Sequence, residues 1–469
     1  MIQPARLSRR QRAAALVAAV AILGIVSSSA AMAEPVATVV QVTTFNPATS
    51  YSDCGSTAIA NNSTSGVTLA AWSGSDYVGA SAPLQVAVIG ANGAAGAAAT
   101  YQPDASHILG PQGWCDPLAV DAGPNGGFIV TWTDADNDNA AYGIIVNSAG
   151  AFVGGAFALS SNTNYGDIET ITAAWSAADS RYLVTWKAGN VQAAFPTAVQ
   201  SQEVVGRFID GNGVGIGNDF LVTNVLGVNN SQDVAYGAGT WISVVAAGST
   251  VVATPIAANG TVGASLPVPS PAGNSSGPSI EFNSITNQFL VVAKTNTTTW
   301  GQLLTSTGAL SGAPFVISTG TNFGKPRLAS LGADGWIVSW HTNNSADVVA
   351  IELSAAGVPI GAPEFLSAGL NDTNIAQNFR PEITFAPVTG QAYAIWSRYD
   401  ADTNETNVVA RAWAVTAAVP LPANPAVVNP ALAATGVNDA QSLLLGAAAA
   451  LALLVGAFAL VTTRRRASV

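Results

Sequence analysis

The segment Asp134-Ala135-Asp136-Asn137-Asp138-Asn139 crowds carboxylate and amide oxygens together directly after an apolar run that ends in Trp132. Hard cations such as calcium collect about six to eight oxygen ligands, so Asp134, Asp136 and Asp138 are the candidate ligands of a calcium ion. The segment is not an EF-hand: Asn139 stands where that loop needs glycine, and Ile145 stands where it needs a bidentate glutamate. A related cluster, Asp400, Asp402, Asn404 and Glu405, recurs near the C-terminal end. The competing reading of both is a solvated hairpin loop.

Other chemistry is sparse. The chain has two histidines, His107 and His341, so a histidine metal cluster is excluded. No nucleophile elbow, HExxH motif, paired-cysteine zinc motif or sialidase-type Asp box is present. Glu281 and Glu382 lie in strand-like segments, and two such carboxylates facing one cleft are what glycoside hydrolysis uses. Sequence alone does not say whether they meet. Trp114, Trp300 and Trp413 stand outside the regular tryptophan positions described below and are candidates for exposed rings that stack on a ligand.

The elements that would position these residues repeat. Apolar runs end in tryptophan at Trp72, Trp132, Trp186, Trp340 and Trp396, and degenerate copies reach Val245 and Ala293 at the same place, giving seven copies spaced about 54 residues apart. Each copy but the last is followed by a second apolar run and a turn glycine, Gly93, Gly150, Gly213, Gly260, Gly308 or Gly357. A further glycine and a last apolar run complete the unit. Each unit reads as four short antiparallel strands, and seven of them in a ring predict an all-β, seven-bladed β-propeller over residues 34–417. The last copy lacks a fourth strand, while Val36–Thr43 is a strand with no partner before it; the N-terminal strand is therefore expected to close the last blade. These repeats resemble a group of bacterial extracellular propeller repeats, whose motifs are strand and turn positions and carry no chemistry.

The two cysteines, Cys54 and Cys115, precede Trp72 and Trp132 by 18 and 17 residues. They hold nearly equivalent positions on neighbouring blades and are expected to form a disulfide in an oxidising compartment.

Both ends of the chain point outside the cytoplasm. Arg6, Arg9, Arg10 and Arg12, an apolar run and the small-residue stretch ending at Ala33 read as a secretory signal peptide over residues 1–33. At the other end a Pro-rich linker, residues 418–431, leads to Leu432-Ala433-Ala434-Thr435-Gly436, a polar spacer, an apolar span at 443–463 long enough to cross a membrane, and Arg464-Arg465-Arg466. The order of these parts resembles the LPxTG family of sortase substrates, in its LAxTG variant because Ala433 replaces proline. That resemblance implies cleavage between Thr435 and Gly436 and covalent attachment of Thr435 to peptidoglycan, with sortase as partner and the membrane touched only through the sorting-signal helix.

Between the two end segments the chain keeps 9 of its 16 basic and 26 of its 27 acidic residues, a net charge near −17. Nucleic acid and anionic wall polymers are repelled by such a surface. The expected function is a wall-anchored, surface-displayed binding or structural module, adhesin-like or glycan-recognising, with an extracellular glycan or matrix protein as ligand. A secreted polysaccharide hydrolase or lyase is the alternative.

Overall fold

A computed structural model describes residues 40–45, 56–73, 83–102, 118–133, 140–162, 165–271, 273–320, 324–342, 347–368, 377–400 and 405–415. Seven four-stranded antiparallel sheets account for every strand among them. In blade 1 the strands are Ser56–Asn62, Val67–Ser73, Leu84–Ile89 and Ala99–Tyr101. The remaining blades begin with the first strands Leu118–Ala122, Gly166–Ser176, Val228–Gly237, Ser276–Asn283, Arg327–Ser330 and Gln377–Ala386. Each first strand neighbours those of the blades on either side, and the last meets the first, so the ring is closed.

The repeated tryptophans all fall on second strands and are fully buried: Trp72, Trp132, Trp186, Trp340 and Trp396 are at most 1% exposed. A large ring at a fixed position fills the space between one blade and the next, so the core divides into interblade clusters. One cluster joins Ile129 of blade 2 to Tyr182 and Trp186 of blade 3. Another joins Trp72 of blade 1 to Tyr393 and Ile395 of blade 7. The six turn glycines between third and fourth strands all have positive φ, for example 89° at Gly213 and 85° at Gly308, a conformation that side chains with a Cβ rarely adopt.

Blade 7 is completed from the other end of the chain. Its sheet runs from Val40–Phe45 through Glu405–Ala414 and Gln391–Asp400 to Gln377–Ala386. Val40 pairs with Ala410 and Phe45 with Thr406, with one bulge between Gln41 and Thr43. The closing strand contains Val40–Thr43 of the expected segment and continues to Phe45; residues 36–39 lie outside the described residues.

Asparagines tie blades together at the hairpin ends. Asn62 Nδ2 donates to the carbonyls of Gly123 (2.9 Å) and Gly127 (2.7 Å) in blade 2. Asn283 Nδ2 repeats the contact on Gly332 (2.6 Å) and Gly335 (3.2 Å) in blade 6. Turn carbonyls buried under a neighbouring blade need such donors. The expected signal peptide, linker, sorting signal and apolar span, residues 1–33 and 418–469, lie outside the described residues, and no described helix is long and apolar enough to cross a membrane.

Candidate functional site: the channel at the ring axis

The first strand of each blade has one edge paired to the second strand and the other edge facing the ring axis. An unpaired strand edge leaves N–H and C=O groups that must find partners. Around this axis runs a cavity of about 480 Å³ lined by first-strand residues of all seven blades. That volume falls within the range of about 300–1,000 Å³ typical of small-ligand sites.

Cross-strand register sorts the lining into tiers. One residue back from the tryptophan position, the partners are Asp233 in blade 4, Ser279 in blade 5, Arg327 in blade 6 and Glu382 in blade 7. Three residues back stand Asp121 in blade 2 and Glu281 in blade 5, with alanine or threonine in the other blades. Four residues back come Trp175, Tyr236, Phe282 and Phe385. The channel therefore passes from a mixed polar tier through an acidic tier to an aromatic one.

Several of these side chains satisfy the exposed strand edges. Asp121 Oδ2 accepts the Trp175 N–H of the next blade at 2.6 Å. Asp233 Oδ2 accepts the Ser279 hydroxyl at 2.8 Å and the Ile280 N–H at 3.0 Å, again in the next blade. Thr384 Oγ1 plays the same part for the Asn61 N–H at 3.1 Å, across the closure of the ring. Glu281 Oε1 accepts the Phe282 N–H of its own strand at 3.1 Å. Arg327 Nε and Glu382 Oε1 form an ion pair at 2.6 Å.

Burial costs the ionised carboxylates more than these bonds return. It pushes Asp121 up to about 7, against the lowering effect of the Trp175 and Ala122 N–H groups. It pushes Glu281 up to about 8, helped by the negative charges of Asp121 and Asp233. Asp233 is also raised by burial, opposed by the Arg327 charge and its own hydrogen bonds.

Rings of the aromatic tier pack on rings of the second strand in their own blades. Trp175 packs on Tyr182 at 4.6 Å, Tyr236 on Trp241 at 4.6 Å and Phe282 on Phe289 at 4.7 Å between ring centroids. Two glycines make room for such rings: a Cβ at Gly237 would stand 2.1 Å from Phe282, and one at Gly123 only 1.6 Å from the Tyr182 hydroxyl. That hydroxyl is buried and has no hydrogen-bond partner. Gly123→Ala is expected to destabilise the ring by about 1–3 kcal/mol through overpacking. Tyr182→Phe should be neutral or stabilising, since it removes an unsatisfied polar group, and should recover part of the Gly123→Ala loss; thermal unfolding of the three variants checks this.

Of the residues singled out from sequence, Glu281 and Glu382 both line the channel, but in different tiers and with different partners: Glu382 with Arg327, Glu281 beside Asp121 and Asp233. Asp121 and Asp233 were not singled out. Trp300 and Trp413 are not exposed platforms. They are 0% and 2% exposed and belong to interblade clusters. Trp300 pairs directly across from Ala293, the copy that lost its tryptophan, and fills the space on that face, with its Nε1 donating to Ser275 Oγ at 3.1 Å. Trp413 pairs with Ala392 and shares a cluster with Trp396. Asp134, Asp136 and Asp138, Cys54 and Cys115, His107 and Trp114, and Leu432, Ala433, Ala434, Thr435 and Gly436 lie outside the described residues. Among the described residues no three His, Cys, Asp or Glu side chains are grouped to hold a metal ion.

No protein-family model and no curated protein matches this chain. Solved structures with a similar outline include a protein of unknown function from Dyadobacter fermentans, 8% identical, TM-score 0.43, covering 80% of this chain and 99% of its own. An alpha-L-arabinanase of Penicillium chrysogenum bound to arabinobiose is 9% identical, TM-score 0.44, covering 80% and 98%. The Dos1 propeller is 9% identical, TM-score 0.39, covering 79% and 94%. At this level of likeness none of them carries an argument about what this chain binds or does.

Proposed function

We propose that the chain is a non-catalytic binding or structural module, adhesin-like or glycan-recognising, displayed on a Gram-positive-type cell wall after export and sortase attachment at Thr435. The observation that carries the non-catalytic part is the engagement of the channel acids. Asp121 and Asp233 hold the backbone of neighbouring blades, Glu382 is neutralised by Arg327, and Glu281 is bonded to its own strand. An acid/base pair for hydrolysis needs two carboxyls free to face one bond.

Display rests on the sequence Leu432-Ala433-Ala434-Thr435-Gly436 ahead of the apolar span. Thr435→Ala is expected to shift the protein from the wall fraction to the membrane fraction, whereas continued covalent attachment to peptidoglycan would contradict the sorting reading. Binding is tested with the 34–435 fragment, which contains every strand of the closed ring, on glycan and host-matrix arrays. Selective retention by one glycan or matrix class is the expected result. The second reading, a polysaccharide hydrolase or lyase, is favoured by one observation only: Asp121 and Glu281 are held at about 7 and 8, where a general acid works at neutral pH.

A further inference from the structure

We propose that the axial channel is a receptor for a linear organic polycation of the alkylpolyamine class, whose ammonium groups meet the carboxylates of Asp121, Glu281 and Asp233 while its methylenes lie along the aromatic tier. This rests on the binding reading above and gives it a ligand chemistry.

The cavity exists and is large enough, at about 480 Å³, for a slim chain of ten or so heavy atoms. Its acids stand at two levels. Asp233 lies one residue back from the tryptophan position and Asp121 and Glu281 three residues back. A strand rises about 3.3 Å per residue, so the two acidic levels are about 7 Å apart along the axis. That is the spacing of two ammonium groups joined by a short alkyl chain, and it is too long for one compact ion. A bare divalent metal is disfavoured on a second ground, since no three acidic or histidine side chains are grouped among the described residues.

The lining next to the acids suits the rest of such a ligand. Trp175, Tyr236, Phe282 and Phe385 all border the cavity and are only partly buried. Aromatic faces attract alkylammonium groups and cover methylenes without competing for the carboxylates. The Arg327 guanidinium, the cation of the polar tier, is paired with Glu382 at 2.6 Å. At the far side of that tier Thr170 lines the cavity, is 5% exposed, and its Oγ1 has no hydrogen-bond partner. An N–H donor entering the channel supplies one. The strongly acidic exported chain would also raise the local concentration of a cation and speed its arrival.

Binding of this kind carries its own signature. Asp121 and Glu281 hold protons near neutrality because burial raises them. An arriving polycation favours their ionised forms, so the complex must release protons to buffer. A polyamine on scattered surface acids, which are ionised already, releases none.

The test is isothermal calorimetry of the full chain in non-ionic detergent with spermidine at pH 7, repeated in two buffers of different ionisation enthalpy. The expected result is saturable one-to-one binding, with an apparent enthalpy that changes with the buffer. The Asp121→Asn, Glu281→Gln pair should weaken it by about tenfold or more and abolish the buffer dependence. The amide oxygen introduced by Asp121→Asn can still accept the Trp175 N–H, and a Tm at least equal to that of the parent confirms that the variant is folded. No saturable binding at millimolar spermidine, or binding that is unchanged in the double variant or independent of buffer, overturns the proposal. Retention on a glycan or matrix array with no spermidine binding would overturn this assignment alone and leave the module reading standing.

Discussion

Deleting residues 34–45 should unfold the ring far below the melting temperature of the parent, whereas deleting residues 418–431 should leave that temperature unchanged. The closing strand Val40–Phe45 pairs with five residues of Glu405–Ala414 across one bulge. At about 0.5–1.5 kcal/mol net for each ladder hydrogen bond, its loss removes about 2.5–7.5 kcal/mol. The loss is larger in consequence than in number. A ring closed by one strand from each end opens as a unit, and the third strand of blade 7 becomes a bare edge available for aggregation. Differential scanning calorimetry of the two deletions reads the contrast. Equal melting temperatures would mean that the pairing of Val40–Phe45 with Glu405–Ala414 contributes nothing to closure.

Mild acid should stabilise this protein. In the unfolded state Asp121 and Glu281 titrate near the ordinary carboxylate values of 3.8 and 4.5, and in the folded ring at about 7 and 8. Between those limits the native state binds more protons than the unfolded state, so stability falls as pH rises. The contribution is fully present below about pH 4 and is lost as pH climbs through 7 to 8. Asp233, raised in the same direction, adds to the trend. The combined effect of Asp121 and Glu281 is on the order of 2–4 kcal/mol after allowing for their partial exposure to the channel. Within the range pH 5 to 8 the maximum is therefore expected at the acid end. Replacing Asp121 with Asn and Glu281 with Gln fixes both sites in the neutral form and should reduce the slope from pH 5 to 8, leaving the share of Asp233 and of Glu203, which burial also raises. Urea unfolding midpoints across that range measure it; a midpoint that rises toward pH 8 would contradict the placement of these acids.

The architecture was legible because it is written in a few large residues at a fixed period. Trp72, Trp132, Trp186, Trp340 and Trp396 mark second strands, and the turn glycines mark where the third strand ends. Even the ring closure could be read, from a missing strand at one end and a spare one at the other. The channel was legible only in part. Asp121 and Glu281 occupy the same register position, but Asp121 lies 11 residues before Trp132 and Glu281 lies 12 before Ala293. The first hairpins differ in length, so spacing alone does not align them; pairing each first strand to its own second strand would have. Trp300 and Trp413 misled for a related reason. A tryptophan outside the repeat position looked free, yet it sits opposite an alanine and occupies the space that alanine leaves.

On the proposed function, the channel acids hold the ring and a ligand, not a reacting bond. The direct measurement is a polysaccharide-degradation screen of the 34–435 fragment at pH 5 to 8, reading new reducing or unsaturated ends, with the Glu281→Gln and Asp121→Asn variants alongside. The expected result is no release above the protein-free blank for any polymer. Ends that appear with the parent chain and vanish in Glu281→Gln would contradict it.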